Sequence, residues 1–210
     1  MKLISRNQIF DNHKNITKLI RSFQKDFFDE EYDDVEDEIF DILKFEPGEI
    51  KYESFILDTN HIELNTYPKN LSEILTKFLE YLNIEEMIII SHLKLDFYLG
   101  IEHIENEEIL NRYKKLNQIT LSEKYEEAII FERNEIENLI DIFFWINEGN
   151  QGSEFIFWVD VKEKFCFYLC KYGKLHFIDF TNGNLISEEN LKYLGFNLLK
   201  MKCSEGVMLE

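Results

Sequence analysis

The residues with the clearest capacity for chemistry in this sequence form an acidic run near its N-terminus. Between Asp26 and Asp41 there are ten acids and no Lys or Arg: Asp26, Asp29, Glu30, Glu31, Asp33, Asp34, Glu36, Asp37, Glu38 and Asp41. Like charges this close repel one another, so the sequence predicts a solvated segment unless a cation or a basic partner neutralises it. Apolar residues interrupt the acids at helix-like intervals, which favours a short amphipathic helix over a disordered tail. These residues are Tyr32, Val35, Ile39 and Phe40.

The acidic run is the predicted partner-binding site. Its contact residues are predicted to be Asp29, Glu30, Tyr32, Asp33, Asp34, Glu36 and Asp37. Carboxylates in such numbers attract a basic protein and accelerate its association at low ionic strength. The ring and hydroxyl of Tyr32 are typical of an interface anchor. The run lacks the glycine and the alternating oxygen spacing of a calcium-binding EF-hand loop, so we predict no metal site.

Histidines are the next candidates, and they are scattered. The five are His13, His61, His92, His103 and His176, and none belongs to an HExxH or another close ligand pair. Strand alternation would place His61 and Glu63 on one face, but a solvated strand edge explains both. Glu102 and Glu105 would raise the proton affinity of His103, which is more typical of surface electrostatics than of catalysis. His176 is predicted to face solvent or a backbone carbonyl.

Familiar catalytic motifs are missing from the sequence. There is no GxxxxGK[ST], no GxGxxG after a strand and no GxSxG, and the chain has only eight glycines. Paired carboxylates have no diagnostic value in a chain with 41 acids. The sequence therefore predicts no catalytic residue and no cofactor. An enzyme with a carboxylate or histidine site outside known motifs stays open as an alternative.

Length and cysteine content bound the class of protein. A chain of 210 residues can bury one sizeable core. Because no repeat or low-complexity linker divides it, we predict a single domain over residues 1–208; Leu209 and Glu210 resemble residues that a cloning site leaves behind. Three cysteines without a CxxC pair or a secretory signal favour a reducing compartment, the cytoplasm. No apolar stretch reaches about 18 residues, so no membrane span is expected.

The net charge of −18 is the global feature that departs from an ordinary domain. Such a charge repels nucleic acid and anionic membranes and attracts basic partners. It is also uneven, because residues 1–105 hold 23 acids and 11 bases whereas residues 153–202 hold 6 and 7. The acidity is therefore expected on the N-terminal part of the surface. The alternative interpretation is that it only keeps the protein soluble and monomeric.

The elements that must position these residues follow from apolar periodicity. Three aromatic and β-branched runs at about 153–180, joined by short linkers, predict a three-stranded antiparallel meander. Helical spacing predicts helices over 15–28, 70–82, 106–116, 135–147 and 187–194. Further strands are predicted over 87–99, 125–131, 61–64 and 196–201, and a hairpin around Pro47-Gly48 from 39–45 and 50–57. The predicted class is α+β, with a mainly antiparallel sheet and helices packed against it.

Together these features favour a protein that works by binding. Small, acidic, motif-poor α+β chains are typical of immunity proteins, so the leading hypothesis is an inhibitor that neutralises a basic toxin or a nucleic-acid-acting partner. The expected partner is a basic protein, with no nucleic acid and no membrane. The alternatives are the enzyme without a known motif and a structural subunit without catalytic activity.

Overall fold

The fold is α+β, as the sequence predicts, and is seen in a computed structural model that describes residues 1–28, 39–42, 50–59, 63–94, 104–121, 127–149, 155–170 and 172–199. The described strands are β1 (Lys2–Ile4), β2 (Glu53–Asp58), β3 (Glu86–Ser91), β4 (Ala128–Glu132), β5 (Ile156–Asp160), β6 (Phe165–Leu169), β7 (Leu175–Asp179) and β8 (Asn197–Leu199). They form one sheet in the order β1-β4-β3-β5-β6-β7-β2-β8. Every pairing in it is antiparallel.

The described helices begin and end where local chemistry favours it. They are α1 (Arg6–Asn12), α2 (Lys14–Phe27), α3 (Tyr67–Tyr81), α4 (Glu107–Thr120), α5 (Ile136–Gly149) and α6 (Glu188–Leu194). Asn106 caps α4 by accepting hydrogen bonds from the first-turn amides, and Ser187 does the same for α6. Gly195 ends α6 in the left-handed conformation, at φ 106°. These caps confirm the predicted start of α4 and both ends of α6.

The C-terminal meander is present as β5, β6 and β7, because alternation puts large apolar rings side by side across the strands. Trp158 pairs with Phe167, and their rings stack with centroids 5.8 Å apart. Phe165 and Phe177 stack at 5.1 Å. Cross-strand aromatic pairs of this kind stabilise a sheet beyond the burial of their area.

The sheet carries a separate core on each side. The covered face bears Met87, Ile89 and Trp158 and packs against α3, α4, α5 and α6. The opposite face bears Ile88, Ile90 and other apolar residues and packs against α1 and α2; we call it the α2 face. Because side chains alternate along each strand, neighbouring residues of one strand serve different cores.

The N-terminal region departs from the prediction. Residues 39–42 form no strand, and β2 pairs instead with β7 and β8, so the hairpin around Pro47-Gly48 is wrong for the described residues; residues 43–49 lie outside them. Strand β3 ends at Ser91, so residues 92–94 do not continue the strand predicted over 87–99, and residues 95–99 lie outside the described residues. Residues 63 and 64 form no strand and lie just before α3. Helix α3 starts at Tyr67, because Pro68 fits the first helical turn. Strand β1 and helix α1 carry no strong sequence signal.

Candidate partner-binding surface

The predicted contact residues lie outside the part of the chain that the structure describes. They are Asp29, Glu30, Tyr32, Asp33, Asp34, Glu36 and Asp37. The structure does describe both ends of the acidic run. Asp26 lies exposed in the last turn of α2, and residues 39–42 include the other end of the run. The structure therefore shows which contacts hold the two ends of the run.

Asp41, the last acid of the run, is buried rather than solvated, which corrects the prediction at this residue. Its Oδ2 accepts a hydrogen bond from Nε of Arg6, and its side chain is only 7% exposed. Its Oδ1 accepts a second one from Nε2 of Gln24 at 2.7 Å. Asp41 thus belongs to the interior as the counter-ion of Arg6, which is 3% exposed. Burying either charge without the other would be costly.

Gln24 links this ion pair to the sheet. It is fully buried, its Nε2 also donates to the backbone carbonyl of His92 at 2.6 Å, and its Oε1 accepts from the amide of Ile42 at 3.2 Å. Nη1 of Arg6 donates to the carbonyl of Ser91 at 2.9 Å. We call Arg6, Gln24, Asp41, Ser91 and His92 the anchor network. It ties α1, α2 and the end of β3 to the C-terminal end of the acidic run.

Both ends of the acidic run are held close together. The rings of Phe28 and Phe40 meet edge to face with centroids 5.5 Å apart. The carbonyl of Ile39 accepts a hydrogen bond from the amide of Lys94 at 3.3 Å. The chain therefore leaves the described structure at Phe28 and returns at Ile39 beside the same anchor network. Eight acids and no base stand between these two points in the sequence.

His92 completes the network as a neutral ring. It is 1% exposed and lies between Phe27 and Phe155, at centroid distances of 4.9 and 5.1 Å. Within the described part of the chain neither ring nitrogen makes a hydrogen bond of normal geometry, although the backbone of Phe155 lies close enough to favour the protonated ring. Burial lowers the pKa of His92 to about 4, and the charge of Arg6 acts in the same direction. A ring with so low a pKa is poorly suited to accept a proton in catalysis at neutral pH.

A groove of about 560 Å³ opens on the α2 face beside this network. One row of its floor crosses four strands, because Tyr168 pairs with His176, His176 with Ile56, and Ile56 with Leu199. The rest of the lining comes from α2 and the strands: Phe23, Tyr52, Ser54, Phe55, Phe177, Ile178 and Leu198. We call this the sheet groove. Its volume and its largely apolar lining with few polar groups are typical of binding pockets.

Aromatic rings shape the sheet groove. The rings of Tyr168 and His176 stack nearly parallel, with centroids 4.7 Å apart and planes 13° from one another. Phe23 of α2 meets Tyr168 edge to face at 6.0 Å. Burial lowers the pKa of His176, so its ring is neutral at pH 7. The ring of His176 is half-buried and lines the open groove.

Helix α2 connects the sheet groove to the base of the acidic run. Phe23 lines the groove. Gln24 belongs to the anchor network, and Phe27 contacts its His92. Phe23 and Phe27 both touch the ring of Phe155, at 4.9 and 5.5 Å. The two features are therefore neighbours, separated by about one turn of α2.

A second cleft, of about 650 Å³, lies between α3, α4 and α5, and several of its charges are paired around Asp141. Asp141 accepts hydrogen bonds from Nη2 of Arg112 at 3.0 Å and from Nζ of Lys115 at 3.1 Å. The guanidinium of Arg112 also lies 5.8 Å from the ring centre of Trp145. These contacts form an ion-pair cluster of Arg112, Lys115 and Asp141 packed beside Trp145.

Metal and thiol chemistry find no support in the described residues. Among them, no three His, Cys, Asp or Glu side chains lie close enough to share a metal ion. Cys166 is fully buried in the core, and burial raises the pKa of its thiol, which makes it a poor nucleophile. His61 and His103 lie outside the described residues, and Glu63 is exposed.

Comparison of the chain with protein-family models, curated proteins and solved structures finds no match. None of the described helices has both the length and the apolar composition that a membrane-spanning helix needs.

The sequence predicted neither the anchor network nor the sheet groove. Arg6 and Asp41 lie 35 positions apart, and no local pattern pairs them. Gln24 offered a partial signal, because a polar residue next to the apolar positions 16, 19, 20, 23 and 27 falls on the inner side of an amphipathic helix. The groove needs four strands side by side, an order that the sequence does not show.

Proposed function

We propose that this chain is a binding protein that neutralises a basic protein partner, as an immunity-type inhibitor does. Its contact is the acidic run with Asp29, Glu30, Tyr32, Asp33, Asp34, Glu36 and Asp37. The observation that carries the proposal is the pair of anchored ends at Phe28 and Ile39. These two ends are neighbours in the fold, and the densest charge of the chain lies between them in the sequence.

The distribution of charge supports this assignment. The described residues hold 24 acids and 18 bases, a net charge of −6, whereas the whole chain carries −18. Two thirds of the net charge therefore belongs to the remaining residues, and residues 29–38 contribute −8 of it. A concentrated field of one sign steers an oppositely charged protein and speeds its association at low salt.

The anchor network supports the proposal in a second way. A segment tied at both ends has less conformational freedom to lose on binding than a free tail of the same composition. The buried Arg6–Asp41 pair and Gln24 supply rigid attachment points for it. An acidic run that served solubility alone would not need such attachment.

The enzyme alternative gains no support from the described residues. Within that part of the chain no histidine ring forms a hydrogen bond to a carboxylate, and burial lowers the pKa of both His92 and His176. We therefore assign no catalytic role and no cofactor. We also propose a cytoplasmic location, because three cysteines without a CxxC pair are typical of a protein from a reducing compartment. Fractionation of source cells tests it, and recovery from a secreted or membrane fraction would contradict it.

The test of the contact is a variant that removes five charges from the run: Asp29→Asn, Glu30→Gln, Asp33→Asn, Asp34→Asn and Glu36→Gln. The native partner is captured from a lysate on the immobilised wild-type chain at about 20 mM salt, and its affinity is then measured for both chains. We expect the variant to bind at least about tenfold more weakly, and the wild-type complex to weaken steeply at about 0.5 M salt.

A matched control neutralises five exposed acids elsewhere: Glu73, Glu80, Glu86, Glu105 and Glu127, each changed to Gln. It alters the net charge equally and should leave the affinity within about twofold of wild type, because scattered exposed charges act weakly across a screening length. Unchanged binding by the first variant, or an equal loss in both variants, would show that the acidic run is not the contact.

A further inference from the structure

We infer that the cleft of about 650 Å³ between α3, α4 and α5 binds a neutral sugar. We call it the helix cleft, because its described lining comes from these helices and from the turns before α3 and α5 and includes no strand. These helices pack on the covered face, whereas the anchor network joins α1 and α2 on the opposite face. The inference therefore does not depend on the proposed function.

Helix α5 presents one continuous face to the helix cleft. Its lining residues follow one another at helical spacing and so lie on one side of the helix: Glu137, Asn138, Asp141 and Trp145. The other sides of α5 are largely buried in the core. From Glu137 to Trp145 the face extends over about 12 Å, at 1.5 Å per residue. A ligand of more than one sugar ring can lie along it.

The first support is a set of five polar side chains that are open to a ligand. Within the described part of the chain they form no hydrogen bond or ion pair: they are Asn65, Lys69, Asn134, Glu137 and Asn138. All five are exposed, so a ligand that displaces their water must replace its hydrogen bonds. Three of the five are amides, which both donate and accept, as a sugar hydroxyl does. Hydroxyls therefore replace this water well.

The second support is the balance of charge in the lining. It holds three bases and three acids: Lys69, Arg112 and Lys115, and Glu108, Glu137 and Asp141. An anion gains no net attraction there, and the charge of −18 on the whole chain repels it. A cation finds Asp141 already paired with Arg112 and Lys115, at 3.0 and 3.1 Å. The lining thus favours a neutral ligand with many hydroxyls.

The third support is a fixed wall with some apolar surface. Arg112 donates to Asp141 at 3.0 Å and to the carbonyl of Glu108 at 3.2 Å, and its guanidinium lies 5.8 Å from the ring centre of Trp145. Groups held before binding lose little freedom when a ligand arrives. Trp145 and Pro68 add a small apolar area, which suits the C–H face of a sugar ring.

The experiment measures the binding of neutral trisaccharides to the full chain by isothermal titration calorimetry. The probes are maltotriose, cellotriose and the trimer of N-acetylglucosamine, and the anionic probes are glucose 6-phosphate and inorganic phosphate. Asn134→Ala/Asn138→Ala removes two unpaired amides from the lining. The matched control, Asn111→Ala/Gln118→Ala, removes two exposed amides of α4 that lie outside it. Circular dichroism and the urea midpoint show whether each variant is folded.

We expect at least one trisaccharide to bind with a dissociation constant below about 1 mM, and both phosphate compounds to bind at least about tenfold more weakly. Asn134→Ala/Asn138→Ala should weaken that sugar about tenfold, because two hydrogen bonds are lost, and the control should stay within about twofold of wild type. Lys69→Ala tests the lining from α3 and should weaken the sugar about threefold.

Three results would overturn the inference. The first is that none of the trisaccharides binds at about 10 mM. The second is that a phosphate compound binds as tightly as the sugars or more tightly, because the helix cleft would then be an anion site. The third is equal sugar affinity of the Asn134→Ala/Asn138→Ala variant and its control, because the sugar would then bind elsewhere on the chain.

Discussion

The two faces of the sheet show a division between stability and recognition. The covered face packs four helices against rings such as Trp158, Phe165 and Phe167, all at most 1% exposed. The α2 face combines an apolar core with a buried ion pair, a neutral histidine and an open groove. An antiparallel sheet permits this difference because its faces carry independent sets of side chains. The α2 face tolerates polar groups and open surface because the covered face supplies most of the buried apolar surface.

The largest expected effect tests the covered face. Trp158→Ala should lower the free energy of unfolding by about 4 to 5 kcal/mol, because it removes a ring that contacts Phe131, Phe143 and Phe167 and leaves a cavity. Tyr168→Ala, one strand away on the α2 face, should cost only about 1 kcal/mol, since its ring is half-buried. Urea unfolding measures both. Similar losses in the two variants would abolish the proposed contrast between the faces.

A slightly smaller effect is expected at the anchor network. Arg6→Met should lower the free energy of unfolding by about 3 to 4 kcal/mol at pH 7, because Asp41 would stay buried without its counter-ion. The double variant Arg6→Met/Asp41→Leu should recover most of this loss, since no unpaired charge remains. Urea unfolding of the two variants gives the comparison. A loss below about 1 kcal/mol in the single variant would mean that water reaches the pair.

The third effect is the pH dependence that His92 adds to stability. Because burial lowers its pKa in the folded state to about 4, the unfolded chain binds the proton more readily between that value and 6.5. The contribution of His92 is therefore present above about pH 6.5 and is lost as the pH falls through 4, by up to about 3 kcal/mol. Arg6 opposes the protonated ring and Asp41 favours it.

The measurement for His92 is urea unfolding of wild type and His92→Leu from pH 4 to pH 7. The difference between the two curves isolates this residue, because the other titrating groups are common to both chains. The leucine variant should be relatively more stable at the acid end. Parallel curves would show that the ring is hydrated in solution, which would weaken the distinction between a sealed network and an open groove.

Much of the architecture was predictable because it is local. Alternating apolar residues predicted the meander, and Asn106 and Ser187 predicted the starts of α4 and α6 through bonds that span only three residues. The strand order was not predictable. Strand β2 inserts between β7 and β8, whereas the Pro47-Gly48 turn suggested a partner before it in the sequence. The candidate site was only half-predictable, since the charge of the run was visible and the burial of Asp41 was not.

The sequence by itself determined the periodic elements, the α+β class and the concentration of acids after α2. Each of these depends on residue type and short spacing, which act before any distant contact forms. Only the tertiary structure decided that Arg6 meets Asp41 across 35 positions, that Gln24 and His92 join them, and that four strands align Tyr168, His176, Ile56 and Leu199 into one groove. These contacts form only when distant segments share one core, because burial then determines which charges pair and which rings meet.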